Sequence, residues 1–233
     1  MSFWPTREHW SVQIPLHTPH QRLQVLAETG CVTLADSRLD IPPAEWLGLE
    51  YMDWKSGGDT NFAPLASADG ELDCRGFWDK GKTDKDARWT SNAELSPTLR
   101  AYVDDVGANF GRVRVIKLEP QSREQAIPSI HRDDNNRFNP PDEGWVVRSW
   151  LELTDNPDSY MLLMDNGPDG LPDPDTEVRV PLHRGARFVV DTQRLWHVVV
   201  HPGQASWYAL ITSFESGSAL GSWIDAERAV VAV

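Results

Sequence analysis

From Arg112 onward the chain alternates between short apolar runs and turn-forming residues. RVRVIKLEP (112–120), GWVVRSWLELTD (144–155), SYMLLMDN (159–166), EVRVPL (177–182), ARFVVD (186–191), WHVVVHPG (196–203) and WYALITSF (207–214) are rich in Val, Leu and aromatic side chains. Each is bounded by Gly, Pro, Asn or Asp, which marks short strands between turns. Seven or eight such strands predict a sandwich or barrel. The first part of the chain reads differently. HQRLQVLAETG after Thr18-Pro19 predicts a capped helix ending at Gly30. TLRAYVDDVGANFG predicts a second, with Ser96 as its cap, Pro97 in its first turn and Gly111 just past its end. IDAERAVV (224–231) predicts a closing helix, and residues 31–95 read as short strands and loops. The expected fold is mainly β with α, a single domain over residues 1–233 with its N-terminal helices packed on one face.

Charge narrows the function classes. A net charge of −13 argues against nucleic acid or an anionic membrane as the main partner, since both demand a basic face. MSFWPTREHW has no apolar signal core, and no later run is long enough to span a bilayer. Cys31 and Cys74 form no metal or disulfide pattern, so a cytoplasmic setting is the expectation. Eleven tryptophans fit either core packing with surface aromatics or an aromatic-lined pocket for a small molecule.

The candidate chemistry begins at SIHRDDNNRF. In extended chain, residues two apart point to one side, so His131 and Asp133 can converge on one ion. A third ligand from a distant strand would complete a two-histidine, one-carboxylate face, which leaves open positions and suits non-heme Fe(II). His197 opens such a strand. His201 shares its parity, so both histidines can face inward. The plainer alternative makes His197 a hydrogen-bonded barrel histidine and His131 a loop residue. On GWVVRSWLEL, Arg148, Trp150 and Glu152 alternate with Val147, Ser149, Leu151 and Leu153. That polar set either lines a cavity or forms a solvated face with Arg148 paired to Glu152.

RVRVIKLEPQSREQAIPSIHRDDNN resembles the aspartyl/asparaginyl β-hydroxylase-like Fe(II)/2-oxoglutarate oxygenases, in the segment where a strand and a turn lead to the first metal histidine. That superfamily includes small bacterial hydroxylases of free amino acids, such as the proline cis-4-hydroxylases. The resemblance spans roughly Arg112 to Phe214 and implies a double-stranded β-helix (jelly-roll) core over 112–214. It implies Fe(II) held by His131, Asp133 and His197, with 2-oxoglutarate as cosubstrate and O2 as oxidant. The RLWH context and the start of the strand favour His197 over His201, which then closes the turn beside Pro202. The implied reaction is hydroxylation of an unactivated C–H bond in a small substrate such as an amino acid. An intact Asp133 fits hydroxylation, since a halogenase of this type would carry a small residue there.

The family places a cosubstrate-binding arginine ten residues after its distal histidine, and here that residue is Trp207. An indole offers one N–H donor and no charge. Some of the resembling hydroxylases carry a second such arginine on the strand after the H-x-D loop, where Arg148 falls. Three outcomes follow: Arg148 anchors 2-oxoglutarate while Trp207 packs on its methylenes; another oxo-acid or none is used; or the domain is a cupin-like binder of metal or a small molecule without turnover. A chance H-x-D in an interaction module would leave the three ligands apart. Arg132, Arg137 and Trp150 are candidate substrate contacts. Residues 1–95, with Trp46, Trp54, Trp78 and Trp89, are expected to form the substrate wall or lid, as loops over a rigid scaffold often do.

Overall fold

The computed structural model describes residues 20–53, 60–73 and 75–229. Its strands are β1 (Cys31–Thr33), β2 (Met52–Asp53), β3 (Thr60–Ser67), β4 (Arg88–Trp89), β5 (Phe110–Leu118), β6 (Val146–Glu152), β7 (Tyr160–Met164), β8 (Val178–Pro181), β9 (Arg187–Val190), β10 (Trp196–Val200) and β11 (Trp207–Glu215). Each of the seven apolar runs after Arg112 contains one strand. They form two antiparallel sheets. The larger has the order β1-β9-β6-β11-β5-β3-β2, with β4 on β3, and the smaller is β10-β7-β8. His131 makes an antiparallel bridge to His197, so the H-x-D segment adds a short fourth edge beside β10. Two facing sheets filled by this alternating connectivity make a jelly roll.

Period-two alternation sorts the side chains into layers. On the outer face of the large sheet, Val113, Val115, Val147, Leu151, Leu210 and Phe214 pack against the helices. Those helices are α1 (Gln24–Thr29), α2 (Ala44–Leu47), α3 (Ser91–Glu94), α4 (Pro97–Asp104) and, after the short α5 (Arg123–Ala126), α6 (Ser218–Ala229). Leu26, Trp46, Leu99, Val103 and Ile224 are their buried contributions. Between the sheets lies a second cluster that includes Phe62, Ile116, Trp150, Leu163, Phe188, Trp207, Ala209 and Ile211. The N-terminal region therefore supplies more than helices: β1 and β3 extend the large sheet at its two sides, on β9 and β5.

Several expectations change at this level. The helix over the second candidate stretch ends at Asp104, well before Gly111. Gly111 instead lies inside β5, where a Cβ would stand 2.1 Å from the carbonyl oxygen of Asp84. The glycine is there for close approach of two backbones, not to stop a helix. Ser96 does not cap α4 through its side chain; its hydroxyl donates to the Glu45 carbonyl at 2.6 Å. The Glu45 carboxylate takes over, accepting from the N–H groups of Thr98 and Leu99 at 2.9 and 3.1 Å. The first helix is short, ending at Gly30 with φ 73° as expected, while its expected Thr18-Pro19 start lies outside the described residues. The closing helix begins at Ser218, earlier than expected, and residues 230 and 231 of the expected span lie outside the described residues.

Candidate metal centre

The loop that carries His131 is held by local and tertiary contacts. Ser122 and Gln125 cap α5 reciprocally, side chain to backbone in both directions. Ala126 and Ile130 then pack on Trp196, Val198 and Val200, the outward side chains of β10. That docking turns His131 inward. Its N–H donates to the His197 carbonyl at 3.2 Å, and the His197 N–H returns a bond to His131 at 2.8 Å. The Asp133 N–H donates to Thr192 at 2.9 Å. The sequence rule that residues two apart share a side is thereby realised.

One ligand atom from each of His131, Asp133 and His197 lies within 4.8 Å of the other two. Ligand bonds of roughly 2.0–2.2 Å at the right angles of one face put ligand atoms about 3 Å apart, so the three side chains would draw in by about 1–2 Å to share an ion. The surroundings leave the right lone pairs available. His131 Nδ1 is 2.9 Å from the Ser129 carbonyl and His197 Nδ1 is 3.4 Å from that of Leu195. Donation from Nδ1 leaves both Nε2 atoms as acceptors, the usual way a histidine ligand is oriented. On Asp133, Oδ2 accepts from Thr192 Oγ1 at 2.8 Å, Arg148 Nε at 3.1 Å and Asn135 Nδ2 at 3.3 Å. Oδ1 is left facing His131 Nε2 at 3.9 Å.

Electrostatics agree with that role. Burial raises the Asp133 carboxyl, but Arg148 and then the two histidines outweigh it and hold the group well below the usual carboxylate range. Burial, helped by His131, pushes His197 down to about 3. A charged carboxylate and a neutral imidazole are the protonation states a divalent cation requires. His197 is buried while the His131 side chain is 46 % exposed, so the centre opens on the His131 side.

Arg148 points inward and does not pair with Glu152. Its guanidinium reaches Asp133, Ser213 Oγ at 2.7 Å, Asn135 Oδ1 at 2.7 Å and Asp84 at 3.6 Å. Asp84 also binds Arg112 at 2.9 Å, so two buried arginines are balanced by two aspartates. The geometry makes Arg148 a positioning residue for Asp133. Trp207 is fully buried at the far end of the interior and donates from Nε1 to Glu152 Oε2 at 2.6 Å. Trp150 stacks on Phe188 at 5.3 Å and presents its ring edge-on to His197 at 6.4 Å.

The other candidates are not gathered here. Arg132 lies over Trp196 on the outer side of β10, at 4.9 Å, away from the side shared by His131 and Asp133. Arg137 is bound to Asp134 at 2.6 Å and lies over Trp78 at 4.6 Å, half exposed. Trp46, on α2, is buried in the cluster between the helices and the large sheet, and Trp89 packs on Phe110, whereas Trp54 lies outside the described residues. His201 is completely buried and pins its turn, between Ser159 Oγ at 2.8 Å and the Ala205 carbonyl at 2.6 Å.

Asp84, Asn135 and Thr192 are partners that the motif does not announce. Arg112 and Arg114 carried a signal: they alternate in RVRVIKL with the same parity as Ile116 and Leu118, which line the interior.

No family model matches the chain, and no curated protein matches it. Among solved structures, it is similar to the non-heme alpha-ketoglutarate-dependent carbocyclase SnoK from nogalamycin biosynthesis, at TM-score 0.51 and 14% identity over 82% of this chain and 81% of that one. A 2OG-Fe(II) oxygenase family oxidoreductase from Burkholderia pseudomallei is similar at TM-score 0.49 and 15% identity, covering 84% and 89%. The non-heme alpha-ketoglutarate-dependent epimerase SnoN from nogalamycin biosynthesis is similar at TM-score 0.46 and 14% identity, covering 82% and 80%. At such identities the likeness concerns the fold, and the fold shared with the carbocyclase is the jelly roll.

Proposed function

We propose that the chain is a non-heme Fe(II)/2-oxoglutarate-dependent dioxygenase that hydroxylates an unactivated C–H bond of a small substrate of the free amino acid class. The observation that supports this most is the convergence of His131, Asp133 and His197 inside a jelly roll, with both Nε2 atoms and one carboxylate oxygen left available. Two histidines and one carboxylate on one face suit Fe(II) and leave positions for a chelating oxo-acid and O2. When bound, that group supplies the oxidising power, with 2-oxoglutarate converted to succinate and CO2. The chain's own residues orient and enclose. His131 and His197 hold the ion through Nε2, Asp133 through Oδ1, and Arg148 with Thr192 fixes the carboxylate. The exposed flank of His131 is where a substrate enters.

A cupin-like binding role without turnover is favoured by one observation: Trp207 is committed to Glu152 and Arg148 to Asp133. The deciding experiment incubates the protein aerobically with Fe(II) and 2-oxoglutarate and quantifies succinate by NMR. Slow iron-dependent succinate release, absent in His131→Ala, supports the oxygenase. Stoichiometric iron with no succinate and no oxo-acid binding favours the binding role.

A further inference from the structure

Two buried polar atoms on the inner face of β6 have no hydrogen-bond partner among the described residues, Trp150 Nε1 and Glu152 Oε1. Their residues are 4% and 1% exposed. Buried polar atoms are almost always hydrogen-bonded, so two without a partner on one face ask for an explanation. Sheet register shows what lies beside them. Ile211 of β11 pairs with Arg114 on one side and Trp150 on the other, and Trp150 pairs with Phe188. Arg114, Ile211 and Trp150 thus form one row across the inner face. The next row is Ile116, Ala209 and Glu152, with the small Ala209 at its centre. Behind it, Trp207 occupies Glu152 Oε2 and leaves only Oε1 unengaged.

The rows are ordered by depth from the metal centre. Arg148, which binds Asp133, is two residues before Trp150 on β6, so the Arg114–Trp150 row lies roughly 7 Å further in. Trp150 also stands edge-on to His197. Arg114 is 9% exposed, with its guanidinium 4.0 Å over the ring of Phe62, inside the same apolar cluster as Trp150. On one inner surface, a cation and an indole N–H therefore lie one row below Arg148 and a carboxyl two rows below it.

We propose that Arg114, Trp150 and Glu152 form the subsite for the distal carboxylate of a 2-oxo dicarboxylic acid whose other end is chelated at the metal centre. This rests on the oxygenase reading and names the cation that Trp207 and Arg148 do not supply. Arg114 provides the charge and Trp150 Nε1–H a hydrogen bond. Glu152 provides a second donor through Oε1, because burial raises its carboxyl well above the usual range despite the Trp207 bond, and so keeps it protonated. A carboxylic acid kept neutral by its apolar surroundings is able to donate to an anion.

The test is an anaerobic titration of the Fe(II)-loaded protein with 2-oxoglutarate and, separately, with the monocarboxylic 2-oxobutanoate. Binding is followed by the weak visible band of a chelated 2-oxo acid, and iron stoichiometry is measured on the same samples. The wild type is expected to prefer the dicarboxylate. Arg114→Gln is expected to weaken 2-oxoglutarate about tenfold or more, and Trp150→Phe several-fold, with 2-oxobutanoate little changed. Trp150→Phe keeps most of the ring's packing and carries the test alone if Arg114→Gln does not fold. Unchanged 2-oxoglutarate affinity in Trp150→Phe and in every folded Arg114 variant overturns the subsite and leaves the oxygenase reading intact. A wild-type protein that binds iron and gives no band with either acid overturns the cosubstrate reading, and the subsite falls with it.

Discussion

Arg148 Nε donates to Oδ2 of Asp133 at 3.1 Å, and the same guanidinium is shared with Ser213, Asn135 and Asp84. A fully buried arginine thus fixes which oxygen of Asp133 is free. Arg148→Met is expected to weaken Fe(II) binding by about 10- to 100-fold, the usual cost of losing a group that orients a ligand. Arg148→Lys recovers part of the loss as a point charge without the fork. An equilibrium Fe(II) titration checks it; wild-type affinity in Arg148→Met would mean that Thr192 and Asn135 suffice.

The two histidines of β10 and its turn have separable roles. His197→Ala is expected to abolish stoichiometric iron binding with the fold retained. His201→Ala is expected to keep iron and lose about 2–4 kcal/mol of stability, because Ser159 and the Ala205 carbonyl are left unmatched around a cavity. Denaturant unfolding and metal titration of both variants check the division. Loss of iron in a folded His201→Ala would contradict it.

Glu152 makes stability depend on pH in a defined direction. Burial raises its carboxyl well above the ordinary 4.5, so the folded chain holds a proton that the unfolded chain releases. This contribution is fully present below about pH 4.5 and is lost as pH rises toward the folded value, at roughly 1.4 kcal/mol per pH unit. Glu152→Gln removes the titration and leaves an acceptor for the Trp207 N–H. Its melting temperature is expected to gain on the wild type as pH rises from 5 to 8. Parallel profiles would show that Glu152 does not titrate differently on folding.

Gly111 tests the polar end of the interior. A Cβ there meets the Asp84 carbonyl, so Gly111→Ala forces the Asp84 loop off β5. A loss of about 2–4 kcal/mol in denaturant unfolding is expected, at the upper end of overpacking costs. A change below 0.5 kcal/mol would mean the loop yields freely.

What the sequence revealed follows from which rules are local. The strands were legible because β5, β6, β7, β10 and β11 are short apolar runs with turn residues at both ends. His131 and Asp133 were legible as a pair because spacing two decides their side. Gly111 was misread as a helix stop because the signal for one, a glycine after an amphipathic run, is the same as for a close backbone approach. The surroundings of Asp133 were not legible, since Thr192 meets it, and Asp84 meets Arg148, only through tertiary contacts. Arg148 could be placed on the inner face by parity, yet parity says nothing of how many acceptors wait there. Arg114 was within reach of the same rule, in the alternation of RVRVIKL.

The function proposed above requires His131, Asp133 and His197 to bind one ion together. The most direct measurement is an anaerobic equilibrium titration of metal-free protein with Fe(II), in the wild type and in His131→Ala, Asp133→Ala and His197→Ala, each first shown to be folded by circular dichroism. One iron per wild-type chain and loss of that site in every variant is the expected result. Stoichiometric iron retained in any one of the three would contradict it.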